Sequence, residues 1–97
     1  MTVVALLTVR REQLAAFHAY ERAAAAIMAR HGAAIDRVIE LAPEGEHHRE
    51  IHVVSFPSPA VWGAYRADPA LAALVTDRAA AIASTEVWIG TDVPPYH

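Results

Sequence analysis

The chain has 97 residues, 55% of them hydrophobic, and a formal charge of -3, so one domain with one core is expected and a basic surface for nucleic acid is not. Its basic residues are all Arg and it has no Cys, which excludes Schiff-base chemistry on a lysine, thiolate catalysis, disulfides and cysteine metal sites. So apolar a chain of this size has more greasy surface than it can cover alone, and self-association is the expectation.

Val3–Val9 (VVALLTV) is a β-rich run that is apolar on both faces, as in a strand buried from two sides. The apolar start Met1–Val9 is too short for a membrane span and no basic region precedes it, so a soluble cytoplasmic protein is expected. Arg10–His31 switches to helical period, with Leu14, Phe17, Glu21, Ala24, Ala25 and Met28 on one face. Gly32 follows at the place of a left-handed C-terminal cap. Ala33–Leu41 alternates partly, as a second strand with one wetter part, with Ile35, Arg37 and Ile39 opposing Asp36, Val38 and Glu40. Pro43–His47 is a turn, and Arg49–Phe56 forms an antiparallel hairpin with the second strand.

Ser58 and Pro59 then supply an N-cap and a first helical residue. The helix they start meets Asp68-Pro69, where the chain leaves helical space, and Asp68 caps a second piece from Pro69 to about Ala83. Thr85–Gly90 is the last strand, and Thr91–His97 is a tail expected to lie across a partner chain. The order β-α-β-β-α-β predicts a ferredoxin-like α+β fold over residues 1–90, a four-stranded antiparallel sheet with both helices on one face. The other face is left bare, and a second copy is the simplest cover, making a homodimer.

Four stretches carry a resemblance: RHGA at Arg30–Ala33, EIHVVSFP at Glu50–Pro57, WGAYRADP at Trp62–Pro69 and TEVWIG at Thr85–Gly90. Together they resemble the dimeric α+β barrel superfamily, and within it small bacterial proteins near the antibiotic-biosynthesis monooxygenases. The resemblance implies two sheets packed into a barrel across a dimer, with a substrate cleft between each sheet and its own helices. The superfamily spans cofactor-free monooxygenases, haem-degrading enzymes and lactone isomerases, so the resemblance does not select a reaction.

Two charges sit on greasy stripes: Glu21 in the first helix, and Arg78 in the last among Leu71, Leu74, Val75 and Ile82. Such charges are paired or functional. Either they form a structural ion pair between the helices, or they floor the cleft, with Arg78 binding an anionic oxygen and Glu21 taking a proton. His52 is a second acid-base candidate if its strand face looks toward the helices; otherwise it lies in the barrel interior. His18 lies near the edge of the Glu21 stripe, and Phe17, Tyr65 and Trp88 are rings suited to lining a pocket for a flat aromatic molecule.

His48, Glu50 and His52 are metal-ligand types on one strand face, but the outer two are about 13 Å apart at the strand rise, beyond the reach of one ion. Neither metal nor haem is expected; His18, His31 and His52 are available as axial ligands, but no spacing supports haem. The sequence thus predicts a cofactor-independent enzyme acting on an aromatic or polyketide-like small molecule. Its rival is a non-catalytic dimeric binding protein, and an open cavity reaching Glu21 would favour the enzyme.

Overall fold

A computed structural model describes residues 1–96. The strands are β1 (Thr2–Arg10), β2 (Ala34–Glu40), β3 (His47–Ser55) and β4 (Ile82–Gly90). A 3-10 turn at Arg11–Gln13 leads into α1 (Leu14–Arg30), and α2 (Pro59–Arg66), α3 (Pro69–Ala72) and α4 (Val75–Ala81) fill the second crossover. The strands form one antiparallel sheet in the order β2-β3-β1-β4. This is the ferredoxin-like α+β arrangement expected. Among the described residues no helix is long and apolar enough to cross a membrane.

β1 is the inner strand that the VVALLTV run calls for, paired on both sides so that Val4 stands between Val53 and Trp88. Residues directly opposed in an antiparallel ladder share a face. Val3, Leu7 and Val9 are buried beneath the helices, and Val54 on β3 joins them. Val4, Leu6, Ile51, Val53 and Trp88 therefore share the opposite face, which no helix covers. The molecule is correspondingly thin, 40 × 36 × 17 Å.

The buried stripe of α1 is Phe17, Tyr20, Ala24 and Ile27, a small rotation from the stripe read in the sequence. Glu21 and Met28 lie at its flank, half-buried. The helix ends in a Schellman motif: Gly32 adopts φ 75°, its N–H donates to Ala29 O, and the Ala33 N–H donates to Met28 O. Ser58 Oγ accepts from Val61 N at 3.2 Å, and Asp68 Oδ1 accepts from Ala70 N at 2.8 Å, so both predicted caps form.

Two expectations are corrected. The final helix does not run to Ala83: it breaks again at Leu74 and stops at Ala81, because Ile82 is extended, 5% exposed and paired with Val9 at the end of β4. Arg10 donates to the Ala79 and Ala80 carbonyls, filling acceptors that the helix end leaves open. Second, Ile35, Arg37 and Ile39 do not share one face of β2. A bulge between Ile35 and Arg37 shifts its phase, so Ile35 faces the helices with Val54 while Arg37 and Ile39 face the bare side with Val53 and Ile51. In the tail, Asp92 accepts a hydrogen bond from the Thr2 hydroxyl of its own chain; His97 lies outside the described residues.

Candidate functional site

Two clusters of buried side chains fill the space between sheet and helices, one around Phe17 and Val9 and the other around Phe56 and Tyr65. Between them a cavity of about 680 Å³ is left open, a size suited to a small organic ligand. Val3, Ala5 and Leu7 form its sheet floor, and Val87 and Ile89, 46% and 58% exposed, stand on the edge strand β4. One end is aromatic: Trp62 and Tyr65 stack with centroids 6.2 Å apart, and Phe56 packs edge-on to Trp62 at 5.0 Å. Arg66 lies over the Trp62 ring at 5.3 Å, a cation–π contact on the indole.

The polar lining is Glu21 and Tyr20 from α1, His52 from β3, Tyr65 and Arg66 from α2, Arg78 from α4 and Thr85 from β4. Each is placed by a local feature. The rotation of α1 turns Glu21 toward the cavity, and strand alternation puts His52 on the helix side with Val54 and Phe56. The Leu74 break sets α4 so that Arg78 NH2 donates to Thr85 Oγ1 at 2.6 Å. Glu21 Oε2 lies 3.6 Å from His52 Nδ1, not against Arg78, so the expected helix-to-helix ion pair is replaced by a helix-to-strand contact. Both charges nonetheless face the same cavity, and neither is turned into bulk water.

The other ring nitrogen of His52 meets Glu50 Oε1 at 2.9 Å. Glu50 Oε2 meets His48 Nε2 at 2.6 Å, and His48 Nδ1 lies 3.3 Å from Glu40 Oε1. Burial pushes the Glu21 carboxyl above its ordinary value, and the His52 and Arg78 charges only partly oppose that. Burial pushes Glu50 the same way, but hydrogen bonds from His48 and His52 outweigh it and hold Glu50 low. Tyr20 and Tyr65 are both raised, chiefly by burial, so each hydroxyl keeps its proton and can donate to a ligand oxygen.

The remaining candidates are sorted by the structure. Tyr65 lines the cavity. Phe17 is 1% exposed and lies in the core, with its ring centroid 6.3 Å from His48 and 6.5 Å from His52. His18 is exposed on α1 and does not reach the cavity lining. Trp88 is opposed to Val4, and that register turns it to the bare face, away from the cavity. The polar residues that the sequence reading did not place in the site are Tyr20, Arg66 and Thr85. Tyr20 is three residues from Phe17 on the same helical face, a spacing that carried the signal. Among the described residues no group of three His, Asp or Glu side chains is arranged around a common metal position. His31, considered as an axial ligand, meets Asp68 Oδ2 at 2.8 Å instead.

The fold of the sheet and its helices recurs in solved structures. A protein of unknown function from Rhodopseudomonas palustris matches with TM-score 0.78 at 19% identity, over 97% of this chain and 83% of that one. SnoaB, a cofactor-independent oxygenase from Streptomyces nogalater, matches with TM-score 0.70 at 18% identity, over 98% and 96%. An antibiotic biosynthesis monooxygenase matches with TM-score 0.71 at 14% identity, over 96% and 98%. The likeness to these proteins, antibiotic biosynthesis monooxygenases among them, is one of fold. No protein-family model matches the chain, and no curated protein does.

Proposed function

We propose that the protein is a cofactor-independent enzyme that removes a proton from an aromatic or polyketide-like molecule, with oxygenation or isomerisation following. The observation that carries this reading is a largely apolar cavity in which Glu21, backed by His52, shares the space with the Arg78 guanidinium. A carboxylate raised by burial is a stronger base than one in water. In this reading Glu21 takes a proton from a carbon beside a carbonyl, and His52 steadies the protonated acid. Arg78 holds the enolate oxygen, and the Tyr65 hydroxyl is a second donor to it. Trp62 and Tyr65 stack on the flat part of the ligand. The fold shared with a cofactor-independent oxygenase is in keeping with this chemistry but does not choose between oxygenation and isomerisation.

The functional unit is proposed to be a homodimer joined through the bare sheet face. The test of the activity is incubation with a hydroxylated anthrone, which has an acidic methylene beside a carbonyl, followed by absorbance and oxygen uptake. Glu21→Gln is expected to lower turnover by about 10²- to 10⁴-fold while leaving the fold intact. Turnover at the wild-type rate in Glu21→Gln would refute the assignment. Binding of the anthrone, seen as Trp62 fluorescence quenching, with no reaction even in the wild type would favour a non-catalytic binding protein.

A further inference from the structure

The contacts around His52 do not stop at the cavity wall. They continue as a line of acids and imidazoles from Glu21 through His52, Glu50 and His48 to Glu40, hydrogen-bonded at the two inner steps (2.9 and 2.6 Å) and in ion-pair contact at the two outer ones (3.6 and 3.3 Å). The two ends differ in surroundings. The Glu21 side chain is 17% exposed and faces the cavity, whereas that of Glu40 is 70% exposed at the sheet edge. His48 and Glu50 line no part of the cavity, so binding a ligand there does not call for them. Sheet pairing does not call for them either, because Glu40 and Glu50 are directly opposed and like charges so placed are unfavourable.

We propose that this line is a proton relay connecting the cavity base to solvent at the β2 edge, by a route separate from the cavity mouth. The proposal rests on the reading of Glu21 as a base and deepens it. Each imidazole in the line presents one nitrogen to the acid on the cavity side and the other to the acid on the solvent side. That two-sided arrangement is what an imidazole needs to accept a proton at one nitrogen and release one from the other. Protons balance along the line. Glu21 takes the substrate proton and passes it to His52 Nδ1. His52 releases its Nε2 proton to Glu50. Glu50, so neutralised, hands a proton to His48 Nε2, and His48 releases its Nδ1 proton to Glu40 and then to water. One proton leaves the substrate and one enters solvent, with no electron transferred. Turning of the two imidazole rings restores their starting tautomers, and the line run in reverse returns a proton to the intermediate.

His48, Glu50 and Glu40 are positioning and relay residues here; only Glu21 and His52 are placed to touch the reacting molecule. Other charged groups bear on the inner end. Glu21 is faced by His52 and Glu50 from β3 and by Arg78 from α4, and Tyr20 is its neighbour on α1.

The relay is tested without substrate, so absence of turnover and absence of a relay are separate results. In isotope-labelled protein, exchange of the His52 Nε2 proton with water is followed by nitrogen-detected imidazole spectra. In the wild type this proton is expected to exchange well ahead of the core amides of β1 despite its burial. Glu40→Gln keeps a hydrogen-bonding oxygen at an exposed position but removes the acid. It is expected to slow the exchange at least about tenfold with no change in melting temperature. His48→Phe is expected to slow it further. A merely structural network would leave exchange in Glu40→Gln at the wild-type rate, and that result overturns the proposal, whether or not His48→Phe folds. A wild-type Nε2 proton that outlasts the core amides overturns it equally.

Discussion

Glu21 and Glu50 stand on opposite sides of one imidazole, and burial pushes both carboxyls upward, yet they end on opposite sides of the ordinary value. The difference is hydrogen bonding: Glu50 is met by two ring nitrogens at 2.6 and 2.9 Å, whereas the ring nitrogen facing Glu21 is 3.6 Å away, beyond hydrogen-bond distance. The consequences for stability run in opposite directions. A raised carboxyl favours the folded state below its ordinary value near 4.5 and loses that contribution as the pH rises through its folded value. A lowered one contributes above 4.5 and loses it as the pH falls through its folded value. Glu21→Gln should therefore gain stability relative to the wild type as the pH climbs through the raised Glu21 value, and the gain should then level off. Thermal melts of the two proteins across the acid-to-neutral range check this; a difference independent of pH contradicts it.

At the scale of elements, the backbone conformation of Gly32 sets where β2 begins. A left-handed residue there turns α1 back toward the sheet, and an added Cβ would meet Pro57 Cγ at 3.4 Å. Gly32→Ala is expected to cost about 1–2 kcal/mol in urea denaturation, chiefly from backbone strain. This cap was legible in the sequence, as were the Ser58-Pro59 and Asp68-Pro69 starts, because each depends on a local residue type. The strand–helix order was legible for the same reason, since the switch of period at Arg10 needs no partner. Ile82 was not. No Gly or Pro separates Ala81 from it, and only pairing with Val9 pulls it from the helix into β4. The bulge in β2 was not legible either, because it is set by register against β3. It is also what brings Glu40 to the Glu50 side. In the site, Glu21 and Arg78 stood out as charges among apolar neighbours, whereas the side of the sheet taken by His52 and Trp88 needed the ladder to be known.

At the scale of the whole molecule, one sheet face carries Val4, Leu6, Ile51, Val53 and Trp88 with no helix over it, and Trp88 is 53% exposed. An apolar face of that kind marks an association surface. Light scattering behind a sizing column is expected to give twice the 10.5 kDa chain mass. Leu6→Arg, on the face away from the cavity, is expected to return the protein to one chain mass. A wild type that runs as one chain removes the dimer from the proposal and leaves the site intact. The strand order has a further effect, on the timing of assembly. β1 is made first, yet both its neighbours come from later in the chain, and Thr2 aligns with Gly90. Closing such distant pairs slows folding. Thr85, the hydroxyl that receives Arg78, arrives only with the last strand. A nascent chain therefore carries Glu21 and His52 before β4 is made, and the wall around them is completed only when that strand pairs with β1.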